Sequence, residues 1–145
     1  RAAGKDIKKT KKGDDMHRHT DFLVDGVSFD VKGLKQSQSE GRVILEVLNV
    51  QGKMGWCNHK KKPEWIAFDF GGFFLCVRNE DLYDITQDFC QLKDKVSNIK
   101  DSLYKGYTRK NRKDLMTTVL LHDVLDDCEH WFLPYKQYRA PMQLL

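Results

Sequence analysis

Three charged residues near the start of the chain have the types and spacing that could bind a divalent metal ion. Asp21 precedes an Asp-Gly dipeptide at positions 25–26, and Asp30 and Lys32 follow it. Asp-Gly between two apolar runs is a strong signal for a β-hairpin with a two-residue loop. In that hairpin Asp21 lies directly opposite Asp30, and Lys32 lies two residues farther along the same face.

The two opposed carboxylates need a positive charge between them. Directly paired residues of an antiparallel hairpin have Cβ atoms about 4.5–5.5 Å apart, and like charges at that distance destabilise the pair. Lys32 supplies part of the compensating charge, and Mg²⁺ or Mn²⁺ would supply the rest, because both ions prefer oxygen ligands. The sequence is equally compatible with a second interpretation, in which Asp21 and Asp30 are exposed residues on the solvated face of an antiparallel sheet.

A third carboxylate lies inside an apolar segment. Glu46 belongs to the run Val-Ile-Leu-Glu-Val-Leu at 43–48, which is apolar on both faces, as in an inner strand of a sheet. Burying an ionised carboxylate costs free energy unless it is paired or binds a metal ion. Glu46 is therefore the third candidate ligand, and its alternative role is that of a partner for a nearby Lys or Arg.

The elements that must position these residues are predicted from apolar periodicity and turn signals. The pattern predicts strands at 21–24, 27–32, 42–50, 64–70 and 73–77, and a strand pair around the basic loop 105–113 whose second member is 115–121. An apolar stripe predicts a helix with Asn79 as its N-cap and with Leu82, Ile85, Phe89, Leu92 and Val96 on one face. A second, short helix is predicted over 123–132.

These elements predict one domain of class α/β (α+β), with a central mixed sheet that carries the antiparallel hairpin and is flanked by helices. We expect a basic polar arm or loop at 1–18, the domain at 19–135 and a C-terminal tail at 136–145. With 145 residues, 40% of them hydrophobic, the chain can bury a core, which excludes a disordered, collagen-like or coiled-coil protein. Residue 1 is Arg rather than Met, so we expect that residues upstream of it are missing or were removed.

The sequence also favours an intracellular protein that does not cross a membrane. No apolar run approaches the ~20 residues that a transmembrane helix needs, and no signal peptide opens the chain. The four cysteines are well separated and form no Cys-x-x-Cys pair, which favours free thiols in a reducing compartment.

Basic residues form clusters that could face a polyanion. The net charge is only +4, but lysine and arginine are concentrated in the first twelve residues and in two later loops. The candidates for contact with nucleic acid in those loops are Lys53, Lys60, Lys61, Lys62, Arg109, Lys110, Arg112 and Lys113. Such clusters bind phosphates by releasing counterions, although ordinary solvated loops have the same composition.

The hairpin resembles the metal-binding core of the PD-(D/E)XK nucleases. In that family an acidic residue that opens one strand meets an (Asp/Glu)-x-Lys motif on the next strand, and the corresponding residues here are Asp21, Asp30 and Lys32. The stretch from 20 to 77 is also similar to small nucleases of this type from phages and large DNA viruses. In those proteins a strand that carries a Glu is followed by a loop like Gln-Gly-Lys-Met-Gly-Trp at 51–56 and by an aromatic-rich strand.

The resemblance implies a restriction-endonuclease-like fold and a viral protein that hydrolyses DNA phosphodiester bonds with Mg²⁺ or Mn²⁺ in the host cytoplasm or nucleoid. It implies that Asp21, Asp30 and Glu46 bind the metal ion and that Lys32 orients or deprotonates the attacking water. Two features depart from the family. Position 30 is Asp where Glu is commoner, and residues 1–18 do not resemble the helix that usually precedes the first catalytic strand. A homodimer or a partner chain could supply that helix.

Two other functions stay open at the level of sequence. The same scaffold could be a non-catalytic nucleic-acid-binding module that uses the basic loops, with the carboxylates only structural. It could also be a viral protein–protein adaptor, which would show no salt-dependent binding of DNA.

Overall fold

The computed structural model describes residues 7–9, 22–33, 35–58 and 63–135, and within these ranges it contains ten strands and three α-helices. The strands are β1 (Ile7–Lys9), β2 (Phe22–Val24), β3 (Val27–Lys32), β4 (Arg42–Leu48), β5 (Trp65–Asp69), β6 (Phe73–Arg78), β7 (Gln91–Val96), β8 (Lys105–Tyr107), β9 (Leu115–Leu120) and β10 (His130–Pro134). The helices are α1 (Gln36–Ser39), α2 (Asn79–Asp88) and α3 (Leu121–Asp127), and two short 3₁₀-helices span Trp56–Asn58 and Ile99–Asp101. None of the helices in these ranges is long and apolar enough to cross a membrane.

The strands form two separate sheets. A six-stranded sheet has the order β1-β2-β3-β5-β6-β10, and a four-stranded sheet has the order β4-β9-β8-β7. The β3–β5 and β7–β8 pairs are parallel and the other pairs are antiparallel. The mixed α+β class is therefore confirmed, whereas the expectation of one central sheet is wrong. After β3 the chain forms β4 in the second sheet and then returns to the first sheet, where β5 pairs with β3. Local periodicity cannot predict this order, because it depends on strand pairing between distant parts of the sequence.

One hydrophobic core joins both sheets and the two longer helices. Its buried side chains include Val43 and Leu45 of β4, Ile66 and Phe68 of β5, Val77 of β6, Leu82 of α2, Val119 of β9 and Val124 of α3. Strands β4, β5 and β6 contribute alternate residues, because successive side chains of a strand point to opposite faces of the sheet. This shared core holds the second sheet against the sheet that carries the hairpin.

The hairpin forms with the predicted register. Its pairs are Phe22–Phe29, Leu23–Ser28 and Val24–Val27. The turn residues Asp25 and Gly26 have φ angles of 52° and 82°, the left-handed backbone that a type I′ turn requires at both positions. The face predicted to be apolar packs in a second hydrophobic cluster, which is centred on Phe29, Ala67 and Cys76.

The first predicted helix is shorter than its apolar stripe. Helix α2 ends at Asp88, and Leu92 lies in β7, which pairs in parallel with β8. Asn79 is not the N-cap, because that position is occupied by Arg78. The Asn79 side chain is buried instead and donates hydrogen bonds to the carbonyl oxygens of Trp56 and Pro63, at 2.8 and 3.0 Å. Long-range pairing thus overrides local helix periodicity and local capping preference.

Three further elements differ from the sequence prediction. The second helix spans Leu121–Asp127 rather than 123–132, and the residues after it form β10, which pairs with β6. One helical turn, α1, lies between the predicted strands 27–32 and 42–50, and β1 lies inside the predicted basic arm. Strand β1 pairs with β2 through backbone groups, so it needs no apolar alternation of its own. The predicted tail at 136–145 lies outside the described residues.

The four cysteines are free thiols, as the sequence predicts. Burial raises the pKa of Cys76 and, together with nearby carboxylates, that of Cys128 to about 12 in each case. The pKa of Cys57 is also raised, because its side chain is fully enclosed and lies near Cys90 and Cys128. These thiols are therefore protonated at neutral pH and serve as small apolar core residues.

We predict that Gly106→Ala destabilises the protein by about 1–3 kcal/mol, the usual cost of overpacking. A Cβ atom at Gly106 would lie 2.3 Å from the carbonyl oxygen of Leu92 and 3.1 Å from Cδ1 of Leu115. Gly72→Ala is the matched control, because nothing lies within 4 Å of the corresponding position, and we expect it to change stability by less than about 0.5 kcal/mol. Urea unfolding measures both variants. Equal unfolding midpoints would contradict the close packing of β8 against β7.

Candidate functional site

Strand β3 brings two of the predicted site residues together. Asp30 and Lys32 are two positions apart and therefore share one face of the strand. Lys32 Nζ lies 2.9 Å from Asp30 Oδ2, and the two side chains are 25% and 6% exposed. Asp30 as a whole is 4% exposed, so its carboxylate is enclosed by protein. The interpretation of Asp30 as a solvated surface residue is therefore wrong.

The Asp30 carboxylate has unused bonding capacity. Its Oδ2 atom is fully enclosed and has no hydrogen-bond partner among the residues that the structure describes, since the contact with Lys32 is an ion pair without hydrogen-bond geometry. Enclosed carboxylate oxygens in proteins are normally hydrogen-bonded or bound to a cation. A carboxylate oxygen is also the ligand that Mg²⁺ and Mn²⁺ prefer. Asp30 therefore fits the role of a metal ligand.

Trp56 holds Lys32 from the other side. The Lys32 ammonium nitrogen lies 5.0 Å from the centroid of the Trp56 ring, within the range of a cation–π interaction. Trp56 is only 5% exposed and packs edge-on against Phe68. Because it is buried, Trp56 is unsuited to stack on a nucleic-acid base, and its role is to position the lysine. Sequence reasoning did not assign this role, and the only signal for it was the place of Trp56 in the family-like loop 51–56.

Asp21 is the other carboxylate of the hairpin motif. Asp21 lies outside the described residues, whose β2–β3 register begins at the pair Phe22–Phe29. Continued by one residue, that register would place position 21 opposite Asp30. The pairing of Asp21 with Asp30 stays a prediction.

Glu46 lies in the other sheet. It belongs to β4 and pairs with Met116 of β9, and β4 is the edge strand of the four-stranded sheet rather than an inner strand. Its neighbours in β4, Leu45 and Val47, are buried, so Glu46 lies on the face opposite to the core and is half-buried. Within the described residues, no group of three metal-ligating side chains contains both Glu46 and Asp30. A role for Glu46 as a metal ligand stays a prediction.

Two of the predicted basic segments are neighbours. Gly52 in the loop after β4 lies against the Lys113 side chain, whose Cβ would be 3.4 Å from a Cβ atom at Gly52. The exposed side chains of Lys53, Lys110 and Arg112 lie in these two loops. The fold thus joins two clusters that are about sixty residues apart in sequence. Lys60, Lys61 and Lys62 lie outside the described residues.

Arg109 differs from the other residues of the basic loop. Its guanidinium group donates a hydrogen bond to Asp114 Oδ2 and forms an ion pair with it, and the Asp114 side chain is only 3% exposed. This hydrogen bond raises the pKa of Arg109. Glu46 lies close enough to Arg109 to favour its charged form as well. Arg109 is therefore the charge partner of a buried carboxylate, whichever ligand the loop binds.

A separate cluster of possible ligands lies at the surface. His122, Asp123 and Asp126 are the only such group in the described part of the chain. His122 Nε2 lies 3.0 Å from Asp126 Oδ2, and the Tyr104 hydroxyl donates a hydrogen bond to Asp123. These groups satisfy one another, and nothing else in the structure indicates an ion there.

Comparisons of the chain with protein-family models, with curated proteins and with solved structures found no match. The structure itself defines a mixed α+β protein with an Asp-x-Lys ion pair in an inner strand. The resemblance to PD-(D/E)XK nucleases depends on the motif and on the hairpin register.

We predict that Lys32→Met destabilises the protein by about 1–3 kcal/mol, because it leaves an enclosed carboxylate without its counter-charge. The double variant Asp30→Asn/Lys32→Met should recover part of that loss, since the uncompensated charge is also removed. Lys93→Met, at an exposed position of β7, is the control for loss of a lysine charge. The free energies of unfolding in urea form a double-mutant cycle. Additive effects of the two substitutions would contradict a direct Asp30–Lys32 interaction.

A second prediction separates structural from surface arginines. Arg109→Ala should lower the melting temperature, because Asp114 is then buried without its partner, whereas Arg112→Ala should leave it unchanged. Both substitutions remove one positive charge from the same loop. Thermal unfolding measured by circular dichroism distinguishes them, and equal melting temperatures would show that Asp114 does not need Arg109.

Proposed function

We propose that the chain is a nuclease that hydrolyses DNA phosphodiester bonds with a divalent metal ion. The observation that supports this proposal is the enclosed Asp30–Lys32 pair, in which a carboxylate oxygen without a hydrogen bond lies 2.9 Å from an ammonium group. The pair lies on the second strand of a hairpin with a two-residue Asp-Gly turn, which is the arrangement of the PD-(D/E)XK motif.

In this proposal Asp30, with Asp21 opposite it, would hold Mg²⁺ or Mn²⁺. A bound cation of this kind lowers the pKa of its water ligand and neutralises the charge that develops on the phosphate. Lys32 is fixed between Asp30 and Trp56, so its amino group can orient the attacking water or, in its neutral form, accept a proton from it. Burial of Trp56 and of the Asp30 carboxylate keeps this geometry preorganised before the substrate binds.

A restriction-endonuclease-like fold belongs to the same proposal. The antiparallel β2–β3 hairpin, with β5 parallel to β3, supports it. Assignment of β4 to a second sheet departs from the single central sheet expected, and among the described residues Glu46 and Asp30 do not belong to a common group of three metal-ligating side chains. We therefore propose Asp21, Asp30 and Lys32 as the catalytic group and assign Glu46 no step.

The basic loops support DNA as the substrate. Lys53, Lys110, Arg112 and Lys113 form a positive surface at the end of β4, next to the loop that ends in Trp56. Because Trp56 contacts Lys32, this surface and the Asp30–Lys32 pair lie at opposite ends of one short segment. A DNA backbone held by the loops would lie near the segment 49–58, whose Trp56 contacts Lys32. A homodimer, or a partner chain that supplies an N-terminal helix, belongs to the same proposal.

A second candidate function is a non-catalytic nucleic-acid-binding module. It is favoured by the position of Glu46, since Asp30 is then the one carboxylate that the structure describes in contact with Lys32. A module of this kind would bind DNA through the basic loops and use the Asp30–Lys32 pair for stability alone.

The deciding experiment is cleavage of labelled duplex, single-stranded and branched DNA in Mg²⁺, in Mn²⁺ and in EDTA. We predict metal-dependent cleavage that Asp30→Asn abolishes and that Lys32→Ala slows by about 10²–10⁴-fold, the usual contribution of a positioned acid–base group. Lys93→Ala, which removes an exposed lysine of β7, should cleave like the wild type.

DNA affinity measured in EDTA separates the two candidate functions. A nuclease should keep its affinity when Asp30 is changed to Asn, because only cleavage depends on that carboxylate. Salt-sensitive binding without cleavage of any of the three substrates would instead support the binding module. Absence of both would leave an adaptor function as the remaining candidate.

A further inference from the structure

A groove with a volume of about 260 Å³ opens on the face of the four-stranded sheet that is turned away from the core. It lies between α1, β4 and the 3₁₀-helix Ile99–Asp101. Ile44 and Thr118 form its floor, and these two residues are directly paired across β4 and β9. We refer to it as the Lys35 groove, after the first of its basic residues.

The Lys35 groove carries a surplus of positive charge. Its walls contain Lys35, Arg42 and Lys100, against a single carboxylate, Glu40. Glu40 is already bound to Arg42, with 2.6 Å between Oε2 and the guanidinium nitrogen. Neither Lys35 nor Lys100 forms an ion pair with another of the described residues, and both side chains are exposed. Two ammonium groups at the rim are thus left for an anionic ligand.

Ser37 adds a neutral donor to this wall. Its hydroxyl oxygen is enclosed and has no hydrogen-bond partner in the described part of the chain. An enclosed hydroxyl without a partner costs stability in the free protein. The hydroxyl becomes favourable when a ligand oxygen accepts a hydrogen bond from it. A phosphate diester supplies such an oxygen, and it also carries the negative charge that would pair with the lysines.

The groove is close to the candidate active site along the chain. Lys35 follows Lys32 by three residues, so their Cα atoms are at most about 11 Å apart. The same face of β4 continues from Arg42 past Glu46 to Leu48, about 20 Å along the strand. The basic surface of Lys53 and the 110–113 loop lies at the far end of this face. The face therefore joins two basic regions, and Glu46 between them lies near Arg109.

We propose that the Lys35 groove binds a backbone phosphate of a DNA strand that also contacts the basic loops at the other end of β4. The choice of DNA as the ligand rests on the proposed nuclease function. The strand would cross the outer face of β4 between the groove and the basic loops, so that binding depends on both ends of the face. Lys35 and Lys100 supply charge, and Ser37 supplies a directional hydrogen bond.

The first test is DNA affinity in EDTA, measured by fluorescence anisotropy over a range of salt concentrations. Lys35→Ala/Lys100→Ala should weaken binding and lower the slope of log K against log salt by about 1–2, because up to two phosphate contacts are lost. Lys93→Ala/Lys95→Ala is the matched control, since it removes two exposed lysines from β7 at the opposite edge of the same sheet. An equal change of slope in the two double variants would overturn the groove as a specific contact.

The second test uses Ser37→Ala. Because the free protein loses an unpartnered enclosed hydroxyl, this variant should unfold at the same temperature as the wild type or higher, while it binds DNA more weakly. Unchanged affinity would overturn the hydrogen bond to phosphate. Inorganic phosphate at constant ionic strength is the third arm, and displacement of DNA from the wild type by millimolar phosphate would assign the groove to a free anion instead of a DNA strand.

These outcomes do not depend on cleavage. If the groove variants lose affinity and the wild type does not cut DNA with Mg²⁺ or Mn²⁺, the groove stands and the nuclease proposal fails. If the wild type cuts and the groove variants bind with an unchanged salt slope, the nuclease proposal stands and the groove fails.

Discussion

The enclosed ion pair between Asp30 and Lys32 is the interaction on which the organisation of the site depends. A carboxylate in an inner strand is costly unless a cation compensates it, so the position of Lys32 is as important as that of Asp30. Trp56 fixes the lysine, and the buried amide of Asn79 fixes the turn that carries Trp56. Asn79, at the start of α2, therefore supports Lys32 indirectly, because it holds Trp56 and Trp56 contacts Lys32. A change in any of these residues is expected to reach the carboxylate through this chain of contacts.

The division into two sheets explains how one small domain can present both an enclosed site and a basic surface. The six-stranded sheet carries Asp30 and Lys32 in β3, where the Asp30 side chain is enclosed. The four-stranded sheet turns the opposite face of β4 outward, and this face ends at the basic loops. The segment from 49 to 58 connects the basic surface with the Asp30–Lys32 pair, because Gly52 contacts Lys113 at one end and Trp56 contacts Lys32 at the other. Under the proposed function, substitutions in the basic loops and in the Asp30–Lys32 pair would therefore affect DNA binding and cleavage separately.

Local signals in the sequence were sufficient for the hairpin and insufficient for the sheets. The Asp25-Gly26 turn determines its own register, so the pairing of Phe22 with Phe29 could be predicted residue by residue. The end of α2 could not be predicted in this way, because Leu92 fits a helical stripe and a strand alike. Only the pairing of β7 with β8 decides between the two. The apolar run around Glu46 likewise indicates a strand but not which sheet it joins. The role of Trp56 could not be predicted either, because it depends on a contact with Lys32, which is distant in the sequence.

Binding of Mn²⁺, followed by electron paramagnetic resonance, measures whether the Asp30 carboxylate holds a divalent cation as proposed. We expect the wild-type chain to bind Mn²⁺, Asp30→Asn to lose this binding, and Glu46→Gln to retain it, because Glu46 lies on the outer face of the other sheet. Equally strong binding in the wild type and in Asp30→Asn would show that Asp30 is not a metal ligand. The enclosed carboxylate would then be a structural partner of Lys32 and nothing more.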